Sequence, residues 1–130
     1  MNDARRETVR RGFEDWNAGS RSVPEWTHPE VVIISAMTGS EYRGHEGVLQ
    51  WMAEIDEQFS SWQLRADEIE DIDEDRILIL GVVLLRGRQS GIELEQPFSW
   101  LMRFEDDLGV ELRIWPSHED GRRAAEAPGP

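Results

Sequence analysis

The chain contains no cysteine and no lysine. Without cysteine there is no disulfide, no thiolate nucleophile and no thiolate metal ligand. Without lysine there is no amine for Schiff-base chemistry or for a phosphate-binding loop. Positive charge is scarce as well: 14 basic residues, all arginine, stand against 27 acidic ones, for a formal charge of -13. A field of that sign repels nucleic acid and anionic membranes, so neither is expected as a partner. No apolar run is long enough to span a bilayer, and the amino terminus lacks the basic-then-apolar order of a secretory leader, so a cytoplasmic protein is expected. At 130 residues one domain is expected over 1–127, with Pro128-Gly129-Pro130 as a frayed tail. A chain of this size buries roughly two thirds of its unfolded surface, so a real core is available.

What the chain has in abundance is tryptophan, six of them, at 16, 26, 51, 62, 100 and 115. Each is a large apolar body whose ring N–H wants a partner when buried. Val9, Phe13 and Trp16 fall at i, i+4 and i+7 and predict an amphipathic helix over Ala4–Ala18, with Asn2 or Asp3 as N-cap and Gly19 as a stop. A short helical turn is expected at Pro24–Trp26, broken by Pro29, and then a strand over Val31–Ala36. Val48, Trp51, Met52, Ile55 and Phe59 form a second helical stripe. Trp62, Leu64 and Ala66 alternate with polar residues and predict a half-buried strand running into the acidic turn Asp71–Asp75.

In Ile77–Leu85 both parities are apolar. Hairpin-linked strands make an antiparallel sheet, which normally keeps one face wet, so this segment requires two covers. The two helices supply one. The expectation is that a second copy of the chain supplies the other, in a homodimer. Ser90-Gly91 suits a tight turn. Ile92, Leu94, Phe98, Trp100, Met102 and Phe104 then share one parity, with a bend or bulge expected at Pro97. Val110, Leu112 and Ile114 oppose Glu111, Arg113 and Trp115 on a last strand, and a short helix is expected from Asp120 to about Ala127.

Tyr42-Arg43-Gly44-His45-Glu46-Gly47 opening the long helix, Arg86-Gly87-Arg88-Gln89-Ser90-Gly91 at the hairpin and the closing SHEDGRRAAEAPG give the chain its resemblance. In that order and spacing it resembles the SnoaL-like branch of the nuclear transport factor 2-like superfamily. The resemblance implies an α+β fold, a cone-shaped curved antiparallel sheet covered by N-terminal helices around an apolar pocket, and a dimer formed through the sheet. Cyclases of this kind use a pocket histidine and an acidic base on the strands flanking the hairpin. Here those neighbourhoods read Leu84-Leu85-Arg86 and Phe98-Ser99-Trp100-Leu101, with no His or Asp.

Among residues fit for chemistry, His45 at the start of the long helix is either a proton donor and acceptor or a capping and surface residue. His118, Glu119 and Asp120 offer an acid–base pair or metal ligands, or else Asp120 is the N-cap of the terminal helix. Arg86 and Arg88 either clamp a carboxylate or pair with Glu93 or Glu95 across the hairpin. Trp16, Trp51, Trp100 and Trp115, with Tyr42, Met37 and Arg86, are the expected ligand-binding residues, and plain core packing is the competing account. The leading expectation is therefore a domain that binds a small apolar molecule, with no metal or cofactor. The alternatives are an isomerase, cyclase or dehydratase with His45 or Asp120 as base, and a pure dimerisation module.

Overall fold

The computed structural model describes residues 3–127. It consists of α1 (Asp3–Asn17), β1 (Thr27–Ser35), β2 (Ser40–Arg43), α2 (Gly44–Gln58), β3 (Phe59–Asp71), β4 (Arg76–Gly87), β5 (Glu93–Glu105), β6 (Leu108–Trp115) and α3 (His118–Glu126). The strands form one curved, unclosed sheet in the order β2-β1-β6-β5-β4-β3. All neighbours are antiparallel except β1 and β6, which run parallel with Ile33 beside Leu112. The frayed tail expected at Pro128–Pro130, and Asn2 as a possible cap, lie outside the described residues.

Both helical stripes form as the spacing predicts: Val9, Phe13 and Trp16 are buried on α1, and Val48, Met52 and Ile55 on α2. They cover the inner face of the sheet, where Ile33, Leu64, Ile77, Ile79, Val83, Phe98, Trp100, Met102, Leu112 and Ile114 complete the main core. Boundaries differ in places. The expected turn at Pro24–Trp26 is closed by the Thr27 N–H on the Pro24 carbonyl at 3.1 Å. The strand after it begins at Thr27 and so includes Pro29, because the β1–β6 register slips between Thr27 and Val32 and leaves the proline outside the ladder. Phe59 opens β3 instead of closing α2. At Pro97 no bulge occurs: β4 and β5 stay in register from Arg103 to Glu93. The β5–β6 pairing covers only Ser99–Glu105, so Pro97 sits where β5 has a single neighbour, a position that tolerates a missing donor.

The second face of β4 receives a cover that the sequence reading did not assign. Leu78, Leu80 and Leu101 are buried beneath α3 with Ala125, and Ile72, Trp115 and Ala124 pack around them. Burying such a leucine contributes roughly 1.5–3 kcal/mol. Helix α3 lies close because Gly121 has no side chain: a Cβ there would run into Ser99, whose hydroxyl donates to the Ser117 carbonyl at 2.7 Å. Part of the need for a second subunit is thereby met within the chain. At the far end of the hairpin Leu84 on this face is 37% exposed, and Leu94 on the opposite face, beside Leu85, and Ile92 in the turn are each 58% exposed. Among the described residues no helix is long and apolar enough to cross a membrane.

Candidate functional site

Between α1, α2 and the inner face of the sheet lies a void in two lobes. The larger, about 100 Å³, is lined by residues including Trp16, Trp26, Trp51, Trp62 and Trp100 together with Phe13, Val31, Ile33, Val48, Met52 and Leu112. The smaller, about 40 Å³, lies toward Met37, Thr38, Val83 and Phe98. Trp51, Ile55, Trp62, Leu64 and Trp100 belong to both. The larger lobe is open in part to solvent and not sealed within the core. It is small beside the usual ligand pocket of about 300–1,000 Å³.

The aromatic wall is held by specific contacts. Trp16 stacks against Trp51 at 6.5 Å, Trp51 meets Trp100 at 6.0 Å, and Phe13 stands edge-on to Trp100 at 4.9 Å. The Trp16 indole N–H donates to the Trp62 carbonyl at 2.7 Å, which joins α1 to the β3 edge. Over the outer side of Trp16 lies Arg21, 3.4 Å from the ring centroid, which also pairs with Asp56 on α2 at 2.9 and 3.2 Å. A guanidinium on an indole face adds cation–π attraction, so Arg21 clamps α1 to α2 beside the cavity. Glu111 touches the larger lobe, but its register with Val32 and Arg103 puts its side chain on the outer face, so the cavity meets its backbone.

Of the expected ligand-binding residues, Trp16, Met37, Trp51 and Trp100 are at the cavity. Tyr42 is buried beside it but does not line it; its hydroxyl donates to Glu54 at 2.7 Å. Burial foremost, with Glu54 adding to it against the opposing Thr38 bond, holds the Tyr42 phenol above its ordinary value. Trp115 is on the other side of the sheet, opposite Ser99 and against the α3 cluster, with Arg113 4.8 Å from its ring. Arg86 is at the exposed hairpin end and pairs with Glu93, as the cross-strand reading expects. Arg88 instead donates to the Asp56 and Phe59 carbonyls at the end of α2.

The candidate bases also lie away from the void. His45 is exposed, and its Nε2–H donates to the Thr27 carbonyl at 3.1 Å. Asp120 is in the first turn of α3, across the sheet; the N-cap is Ser117, whose hydroxyl accepts the Asp120 N–H at 3.2 Å. His118 donates to the Gly81 carbonyl at 2.8 Å and Glu119 pairs with Arg123 at 2.6 Å, so this trio diverges. Among the described residues no three His, Asp or Glu side chains come together as a metal would need.

No protein-family model matches the chain, and no curated protein matches it. Solved structures do. A nuclear transport factor 2-like protein of unknown function from Burkholderia pseudomallei is 21% identical, with 93% of this chain and 96% of that one covered at a TM-score of 0.77. A hypothetical protein of ketosteroid isomerase-like fold from Catenulispora acidiphila, in complex with trimethylamine, is 14% identical, with 94% of each chain covered at 0.78. A putative SnoaL-like polyketide cyclase from Jannaschia is 20% identical, with 95% and 92% covered at 0.73. By these likenesses the chain has the nuclear transport factor 2-like fold. In this sheet the strands flanking the hairpin place Trp100 at the void and Ser99 beneath α3, while Leu84 is exposed. Two lining tryptophans, Trp26 and Trp62, were missing from the sequence-derived set. Trp62 shares a strand parity with the buried Leu64, and that alternation was the available signal; Trp26, in a turn, carries none.

Proposed function

We propose that the chain binds a small, mostly apolar molecule in the two-lobed cavity. The observation that carries this reading is a void kept open among five tryptophans in an otherwise packed core. A ligand the size of trimethylamine, present in the similar Catenulispora acidiphila structure, suits a space of this volume. An isomerase, cyclase or dehydratase needs a titratable group within about 3 Å of the reacting atom. Among the described residues the walls present none, which favours binding over acid–base catalysis by His45 or Asp120. Self-association through the part of the outer sheet face that α3 leaves uncovered, where Leu84 is exposed, completes the reading as a homodimer.

The test is thermal unfolding against a graded series of small cyclic hydrocarbons and ketones. A ligand that binds only the folded chain raises Tm with the logarithm of its concentration. Val31→Phe, which projects a ring into the larger lobe, should abolish the rise. A Tm that stays constant across the whole series overturns the reading.

A further inference from the structure

Of the six indole N–H groups, that of Trp16 has its acceptor on Trp62. None of the other indoles has one among the described residues, and of these Trp100 is the buried one, only 9% exposed, while Trp26, Trp51, Trp62 and Trp115 are half-buried. An unpaired buried donor costs about 1–3 kcal/mol, and buried indoles usually find a partner. Among the described residues the side-chain atoms that are both unpaired and sealed from any space are Arg6 Nε and Arg103 Nε. Trp100 Nε1 is not one of them, so its N–H opens onto free volume. Phe13, Trp51 and Phe98 crowd the ring with centroids at 4.9, 6.0 and 5.6 Å, and the volume left beside it is the cavity, both lobes of which Trp100 lines.

The remaining walls limit what can meet that donor. Among the described residues no Arg or His side chain reaches either lobe, and the chain carries a net charge of -13, so an anion would find no countercharge. A pure hydrocarbon would leave the N–H unsatisfied. A neutral molecule with an acceptor oxygen satisfies it and fits the apolar walls.

We infer that the Trp100 indole N–H is the polar anchor of the cavity and that the ligand is a neutral, compact ring compound carrying a carbonyl oxygen. This rests on the cavity being a binding site. The two lobes, about 100 and 40 Å³, suit a ring of about six to eight non-hydrogen atoms, since a void of about 150 Å³ takes benzene.

The experiment titrates ¹⁵N-labelled full-length protein with cyclohexanone and with methylenecyclohexane, which has a CH₂ in place of the oxygen. Cyclohexanone should move one indole proton downfield, the resonance missing from Trp100→Phe, and should bind about 3- to 10-fold more tightly than its isostere. Trp100→Phe should bind both alike, while Trp115→Phe, on the outer face, keeps the preference. Should Trp100→Phe not fold, the wild-type resonance is assigned through its proximity to Phe13 and Phe98 and read directly. Equal binding of the two probes, or a shift at another indole, overturns the anchor and leaves the cavity as a binding site. Binding of neither overturns the cavity reading and the anchor with it.

Discussion

The side chain of Asn17 and the backbone of Leu64 exchange two hydrogen bonds: Asn17 Nδ2 donates to the Leu64 carbonyl at 2.8 Å, and Asn17 Oδ1 accepts the Leu64 N–H at 2.8 Å. Leu64 is on β3, an edge strand, and the amide does there what a neighbouring strand's peptide would do. It also sets the register of α1, so that Trp16 closes the cavity wall. Asn17→Ala should cost about 1–3 kcal/mol in urea unfolding, and Asn17→Asp, which sets a second acceptor against the Leu64 carbonyl, should not recover that loss at neutral pH. An alanine variant as stable as the parent would show the pair to be incidental.

Gly121 should tolerate no side chain. Gly121→Ala sets a methyl against Ser99 and should destabilise by about 1–3 kcal/mol. Ser99→Gly in the same chain should restore part of the loss, because the two positions share one space. The measure is the coupling in a double-mutant cycle; strict additivity would exclude the clash as the cause.

Tyr42 is the one tyrosine in the chain, so absorbance at alkaline pH reads its ionisation alone. Its phenol is held up mainly by burial, so the midpoint should lie above the ordinary value of about 10. A group raised in the folded state contributes stability that is full below the unfolded value and lost as pH rises through the folded one. Tyr42→Phe should therefore flatten the alkaline fall in stability, and a midpoint at or below 10 would contradict the burial described above.

At the other end of the scale, burial works against the Asp73 carboxylate, but hydrogen bonds from Arg76 and the nearby backbone leave it below its ordinary value. Arg76 also reaches the Ala125 and Ala127 carbonyls at the end of α3. A lowered carboxyl contributes stability that is present above about pH 3.9 and declines as pH falls through the folded value. The stability difference between the parent and Asp73→Asn should shrink below about pH 4, which acid unfolding followed by circular dichroism will measure. A difference that persists at pH 2 would assign it to something other than this charge.

Much of the fold was legible because its signals are periodic. The stripes Val9–Phe13–Trp16 and Val48–Met52–Ile55 and the alternations in β3, β5 and β6 place their residues where the structure has them. β2 escaped because four residues carry no period, and its Tyr42-Arg43 read as the approach to a helix. α3 was expected as a short helix but not as a cover for the sheet, because its sheet-facing residues are Gly121, Ala124 and Ala125, too small to make an apolar stripe. That misreading assigned the whole second face of β4 to a partner. At the site, Trp115 was placed inside by its size, although its parity with Glu111 and Arg113 already put it on the polar side of β6. Parity decides which face a strand residue occupies, and bulk does not.

The pairing of β1 with β6 has a consequence for how the molecule is made. The strand following the first helix takes its sheet partner from the last strand of the chain, so during synthesis Val31 and Ile33 emerge long before Leu112 and Ile114 exist to flank them. The hairpins of β3, β4 and β5 can form as they appear, but the wall closing the cavity on the β1 side cannot. Contacts this distant in sequence are slow to form and leave apolar surface exposed meanwhile. A nascent chain halted before Leu108 should therefore hold its middle strands and lack the pocket between sheet and helices, which makes the last strand the step that creates it.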